Sequence, residues 1–100
     1  MYVIIWSFKI RKESKEEFEK AYGPDGTWAR FFKSGKGHLQ TELLCDSDER
    51  DRYVTIDRWA SQSDYERFRN ENKSEYGNLD RRFAAWTLEE QCLGSFTSKE

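Results

Sequence analysis

Apolar residues alternate along "YVIIWSFKI", residues 2–10, so that Tyr2, Ile4, Trp6, Phe8 and Ile10 share one side while Val3 and Ile5 add apolar groups to the other. A strand that is apolar on both sides is a central strand covered twice. The period then lengthens to that of a helix, with Ser14 and Glu17 forming a capping box ahead of Phe18 and Tyr22. "GPDG" at 23–26 ends this helix, because proline has no amide donor and disfavours helix in the residue before it. Thr27 is placed to cap a short second helix carrying Trp28, Phe31 and Phe32, which stops at "SGKG".

A second strand is predicted from His38 to Cys45, with Leu39, Thr41, Leu43 and Cys45 on one face, followed by the solvated loop "DSDERDR". "YVTIDRW" alternates Tyr53, Thr55, Asp57 and Trp59 against Val54, Ile56 and Arg58. "SQSD" opens a further helix, whose Tyr65, Phe68, Asn72, Tyr76, Leu79, Phe83 and Trp86 make one continuous stripe loosened at Gly77. "EQCLGSF" reads as the last strand, with Gly94 marking a bulge or a close backbone approach.

Strand, helix, strand, strand, helix, strand is the split βαββαβ arrangement, an α+β, ferredoxin-like fold with an antiparallel sheet and both helical segments on one side. The other side then needs cover that this chain does not supply, which predicts a homodimer. A strand order of 4-1-3-2 would put Cys45 and Cys92 on opposite edges, about 14 Å apart at the usual strand spacing. A disulfide tolerates about 7 Å, so no bridge within one chain is expected.

The totals narrow the function. One hundred residues suit a single domain spanning 1–100, and 16% aromatic residues offset an apolar share of only 36%. Seventeen basic and 19 acidic residues leave a net charge of -2, without the positive field that nucleic acid requires. Arg67, Arg69, Lys73, Arg81 and Arg82 alternate with Glu66, Glu71, Glu75 and Asp80, as on a solvated helix face. The start "MYVIIWSFKIRK" has no leader pattern and no segment is long and apolar enough for a membrane span, so a cytoplasmic location is expected. "NKS" at 72–74 then matches a glycosylation acceptor only by chance. Cys45 and Cys92 lack metal-ligand spacing and read as small core residues. One histidine and two separated cysteines predict no metal site, and "GKG" at 35–37 lacks the rest of a phosphate-binding loop.

"YGPDGTWARFF", "LQTELL", "YVTIDRWAS" and "YGNLDRRFAAWTLEEQ" resemble the antibiotic biosynthesis monooxygenase domain family of the dimeric α/β-barrel superfamily, over residues 2–96. The resemblance implies that the first helix breaks at "GPDG" so that a short second helix bends over a cavity between sheet and helices, and the break redirects Trp28, Phe31 and Phe32, with Trp28 and Phe31 as pocket candidates. It implies that Trp59 and Tyr65 line that pocket, and that neither flavin nor metal is used. A phenolic or quinol-like substrate would lose a proton and its electron-rich anion would react with dioxygen. Such chemistry needs a dry aromatic cavity, donors around a developing oxyanion and a base. The family oxygenases carry an asparagine four residues before the tryptophan, where this chain has Thr55. The superfamily's haem-degrading members are a poor match, since of their asparagine, tryptophan and histidine set only Trp59 has a counterpart.

His38 and Asp57 are the candidate bases, although His38 after "SGKG" reads most simply as a solvated strand-start residue and Asp57 as a partly buried carboxylate in a hydrogen bond or salt bridge. Tyr76 can donate to a ligand or simply pack in its stripe. Three functions stay open: a cofactor-free monooxygenase of a small aromatic metabolite, a binding or stress-response dimer that holds an apolar ligand, and a structural dimer whose rings fill the cavity.

Overall fold

The computed structural model describes residues 1–99. Its elements are β1 (Tyr2–Ile10), α1 (Lys15–Tyr22), α2 (Thr27–Lys33), β2 (His38–Cys45), β3 (Arg52–Trp59), α3 (Gln62–Glu71), α4 (Lys73–Phe83) and β4 (Thr87–Thr97), with 3-10 turns at Lys12–Ser14 and Ala84–Trp86. The strands form one antiparallel sheet in the order β2-β3-β1-β4. This is the ferredoxin-like α+β arrangement expected from the order of elements, and Cys45 and Cys92 do lie on opposite edge strands.

Alternation sets the two faces. Tyr2 lies opposite Trp59, Ile4 opposite Asp57 and Phe8 opposite Tyr53, and these side chains are buried against the helices. Phe18 and Tyr22 of α1, Trp28, Phe31 and Phe32 of α2, Phe68 of α3 and Leu79 and Phe83 of α4 complete that core. The opposite face carries Val3, Ile5, Val54 and Ile56, which are half-buried, and Leu44 and Phe96, which are exposed.

Several local expectations are corrected. Ser14 precedes α1 but its side chain makes no capping bond: its backbone, at φ -106 and ψ 3, is not in the extended geometry of a capping residue, and its own amide, which Glu17 would accept in a capping box, is donated to the Arg11 carbonyl at 2.9 Å. Gly26, not Thr27, is the N-cap of α2. Ser61 does cap α3, its hydroxyl accepting the Asp64 amide at 3.1 Å. The long stripe is broken at Asn72 rather than loosened at Gly77. Asn72 leaves helical geometry at φ -128 and ψ 30, and its side-chain amide donates to the Phe68 carbonyl at 2.9 Å, a local bond that competes with helix continuation. Both cysteines are exposed rather than in the core, since each sits on an edge strand beyond the cover of the helices. The bulge expected near Gly94 is present: Ile5 pairs Gly94 and Trp6 pairs Cys92, which leaves Leu93 unpaired and exposed.

The bend between α1 and α2 rests on close backbone approach. A Cβ at Gly26 would lie 2.3 Å from the Lys20 carbonyl oxygen and 2.6 Å from that of Ala21. These are main-chain atoms at the end of α1, so they cannot swing aside. Gly26→Ala is therefore expected to cost about 2 kcal/mol in urea unfolding, the range for enforced backbone displacement, while Asp25→Ala stays within about 0.5 kcal/mol. Equal stability of the Gly26 variant and wild type would mean that the turn does not press on α1.

Candidate functional site

The bent helices do not fill the space above the sheet. A cavity of about 140 Å³ lies between them and the inner face of β1 and β3, lined by aromatic rings that include Trp6, Trp28, Phe32, Trp59, Tyr65 and Tyr76. It is close in size to a cavity of about 150 Å³ that accepts a single benzene ring. Thr41, Thr55 and Asp57 supply polar groups from β2 and β3, and Arg69, Asp80 and Glu90 join the lining from α3, α4 and β4.

Trp59 ends β3 and is fully buried. Around it stand His38 at 5.2 Å, Phe68 at 5.4 Å, Tyr65 at 5.5 Å and Phe32 at 5.9 Å between ring centroids. Its indole N–H has no acceptor among the described residues, an unusual state for a buried donor and one that a ligand oxygen can relieve. Tyr65 accepts a hydrogen bond from Arg69 at 2.8 Å, so its own O–H is free to donate. The Arg69 guanidinium also lies 3.8 Å from the Tyr76 ring centroid, a cation–π contact that holds it between two tyrosines. Burial raises the pKa of Tyr22, Tyr65 and Tyr76, although Arg69 opposes it at Tyr65, so all three remain phenols at neutral pH.

Asp57 is only 9% exposed, and the Thr41 hydroxyl donates to its Oδ1 at 2.5 Å. Nε2 of His38 lies 3.0 Å from that hydroxyl and 3.8 Å from the carboxylate oxygen. The His38 side chain is fully buried, which corrects the expectation of a solvated residue. A slip in register is the cause. His38 pairs Trp59 but Gln40 pairs Arg58, so Leu39 bulges outward to 56% exposure and the histidine turns inward.

The structure brings Trp28, Trp59, Tyr65, Tyr76 and Asp57 to one cavity. Phe31 packs instead on Phe68 at 4.8 Å and is not part of the lining, and His38 lies behind it. Thr41 and Arg69 were not singled out from the sequence. Arg69 was legible as the residue four positions beyond Tyr65 on one helix, the spacing at which side chains meet. Thr41 was not, because strand parity alone separates it from His38. Among the described residues, no three His, Cys, Asp or Glu side chains converge to hold a metal ion. None of the helices there is long and apolar enough to cross a membrane.

The family model described as antibiotic biosynthesis monooxygenase matches residues 1–76. The chain belongs to this family. Among solved structures, an asparagine-to-alanine variant of SnoaB, a cofactor-independent oxygenase from Streptomyces nogalater, aligns at 20% identity and a TM-score of 0.76, covering 99% of this chain and 93% of that one. PA3566 from Pseudomonas aeruginosa aligns at 15% identity and a TM-score of 0.70, covering 99% and 94%. SO0527 from Shewanella oneidensis aligns at 12% identity and a TM-score of 0.69, covering 95% and 87%. At these identities the likeness concerns the fold. A search of curated proteins gives no match.

Two acids in the cavity lining carry a pH signature. Desolvation raises the Asp80 carboxyl, against the pull of Arg69 and Arg81, and raises Glu90, with the Asp80 charge adding to it. The folded state thus binds these protons more tightly than the unfolded chain does, and their stabilising contribution is lost as pH rises through the raised values. The double variant D80N/E90Q should therefore gain stability relative to wild type between pH 4 and pH 7. Solvent screening at these exposed residues limits the gain to roughly a few tenths of a kcal/mol. Urea midpoints at both pH values measure it, and a relative loss would reverse the assignment.

Proposed function

We propose that this protein is a cofactor-independent monooxygenase of a small phenolic or quinol-like aromatic molecule. The observation that carries this reading is a buried carboxylate, Asp57, in a largely aromatic cavity of single-ring size whose lining also includes Trp59, an indole donor without a partner among the described residues. The family membership and the likeness to SnoaB support it.

A ring slides between Trp28, Phe32 and Trp59 with its hydroxyl toward Asp57, and any larger part of the molecule stays at the mouth. Asp57 accepts the phenolic proton: the substrate O–H bond breaks, a new O–H forms on the carboxylate, and the electron pair stays on the substrate oxygen. Low polarity around the rings strengthens hydrogen bonds from the Trp59 N–H and the Tyr65 O–H to that oxyanion. The anion is electron-rich enough to reduce dioxygen. One oxygen atom bonds to a ring carbon, whose C–H bond breaks, and O–O cleavage releases the other as water carrying that hydrogen and the phenolic proton returned from Asp57; the ring, having supplied all four electrons, is left as a quinone. Arg69 keeps Tyr65 oriented, and a ring seated among the aromatic side chains displaces water from the inner end of the cavity.

Oxygen uptake and product mass with a panel of hydroxylated one- to three-ring aromatics test this reading. We expect Asp57→Asn to lower turnover by at least about a hundredfold, in line with the loss of a general base. Trp59→Phe, which keeps a ring but removes the donor, should lower it about tenfold or more. Thr55, which stands where the family oxygenases carry an asparagine, favours a second reading in which the pocket binds such molecules without oxidising them. Tryptophan quenching by the same panel with no oxygen uptake would select that reading.

We further infer that two copies associate through the helix-free face of the sheet, where Val3, Ile5, Val54, Ile56, Leu44 and Phe96 present apolar side chains beside the Arg58–Glu42 ion pair. Light scattering should return about twice the 12.0 kDa chain mass at micromolar concentration, and Ile56→Asp should shift it towards one. A wild-type monomer would remove the dimer.

A further inference from the structure

Thr41 and His38 stand three residues apart on β2 and would face opposite sides of a regular strand. The Leu39 bulge brings both to the inner face, and Gly37, at φ +96, leads the chain into it. A Cβ at Gly37 would meet the Asp64 carboxylate at 2.4 Å, so this entry is fixed by space as well as by backbone angle. A special backbone path is thus used to bury an imidazole, which is otherwise costly.

The hydrogen-bond inventory sets the direction of the resulting chain. The Thr41 hydroxyl has one proton, and it goes to Asp57 Oδ1. Its contact with His38 Nε2 at 3.0 Å must then be one in which the imidazole donates. Neutral His38 is therefore protonated at Nε2, and Nδ1, buried and without a partner among the described residues, carries a lone pair. The charged groups near the ring are Asp57 at 3.8 Å and, beside Gly37, Asp64, which Arg67 pairs at 3.1 Å. Phe32 and Trp59 cover the rest of the ring.

We propose that His38 is a positioning residue for Asp57, acting through Thr41 along a hydrogen-bond chain of fixed direction from imidazole to hydroxyl to carboxylate. The chain engages Oδ1 and holds the carboxylate plane, which leaves Oδ2 for the ligand. His38 itself never meets the substrate. The inference rests on Asp57 being the group that receives the ligand's proton, but its geometry can be read without any ligand.

The chain has a single histidine, so imidazole nitrogen resonances of labelled protein belong to His38 alone. In wild type at pH 7.5 we expect an Nε2-bound proton, visible through its one-bond coupling to nitrogen because exchange with water is slow. Thr41→Ser should keep that signal and Thr41→Val should lose it, with the dispersion of the amide spectrum showing that each variant is folded. Proton attachment at Nδ1 in wild type, or a signal unchanged in Thr41→Val, would overturn the proposal. In oxygen uptake, Thr41→Val should lower kcat about tenfold with KM within about twofold, and Thr41→Ser should restore it. Wild-type turnover that is normal in Thr41→Val also counts against the proposal. The expected spectra with no turnover in wild type would instead sink the oxygenase reading and leave His38 orienting Asp57 in a binding site.

Discussion

Trp59 is the joint on which the architecture turns. Its fully buried ring touches α2 through Phe32, β2 through His38 and α3 through Tyr65 and Phe68. Tilted and edge-on aromatic pairs of this kind each add about 0.5–1.5 kcal/mol beyond the area they bury. One residue at the end of a central strand thereby ties the sheet to both α2 and α3. Rings held in this way are rigid struts, and they keep a gap open where flexible aliphatic chains would have collapsed into it.

The break at "GPDG" works with that joint. A straight helix running on from α1 would carry Trp28 and Phe32 away from the sheet, whereas the bend lays α2 across it with Trp28 against Tyr22, Tyr76 and Phe83. Gly26 allows the two helix ends to approach closely. The same turn that shapes the roof of the cavity thus depends on having no side chain at one position.

Electrostatics divide the cavity into two regions. Its interior holds one carboxylate bonded to the Thr41 hydroxyl, with the His38 imidazole behind that hydroxyl, among ring faces, Ile4 and Thr55. Arg69, Asp80 and Glu90 reach the same space from exposed or half-buried positions, where solvent screens their charges. Under the proposed reaction, proton transfer would belong to the interior, where a small change in charge is felt most strongly, while the outer groups are screened.

The order of elements, the two-sided character of β1, the interruption at "GPDG" and the inward parity of Asp57 with Trp59 were all legible in the sequence, because each depends on local backbone chemistry or on a period of two or 3.6. The long stripe from Tyr65 to Trp86 was legible as a pattern but not as two helices, since a competing amide bond from Asn72 leaves that pattern intact. The exposure of Cys45 and Cys92 follows from which strands lie at the edges of the sheet. His38 marks the limit most clearly. Its residue type suggested proton chemistry, but its burial beside Thr41 required a one-residue slip against β3, and a slip reverses the facing of the residues before it relative to those after it without altering one letter of the sequence. Local sequence determined the strands, helices and turns of this protein; only their packing decided which side chains share an interior, because that depends on register and distance between segments far apart along the chain.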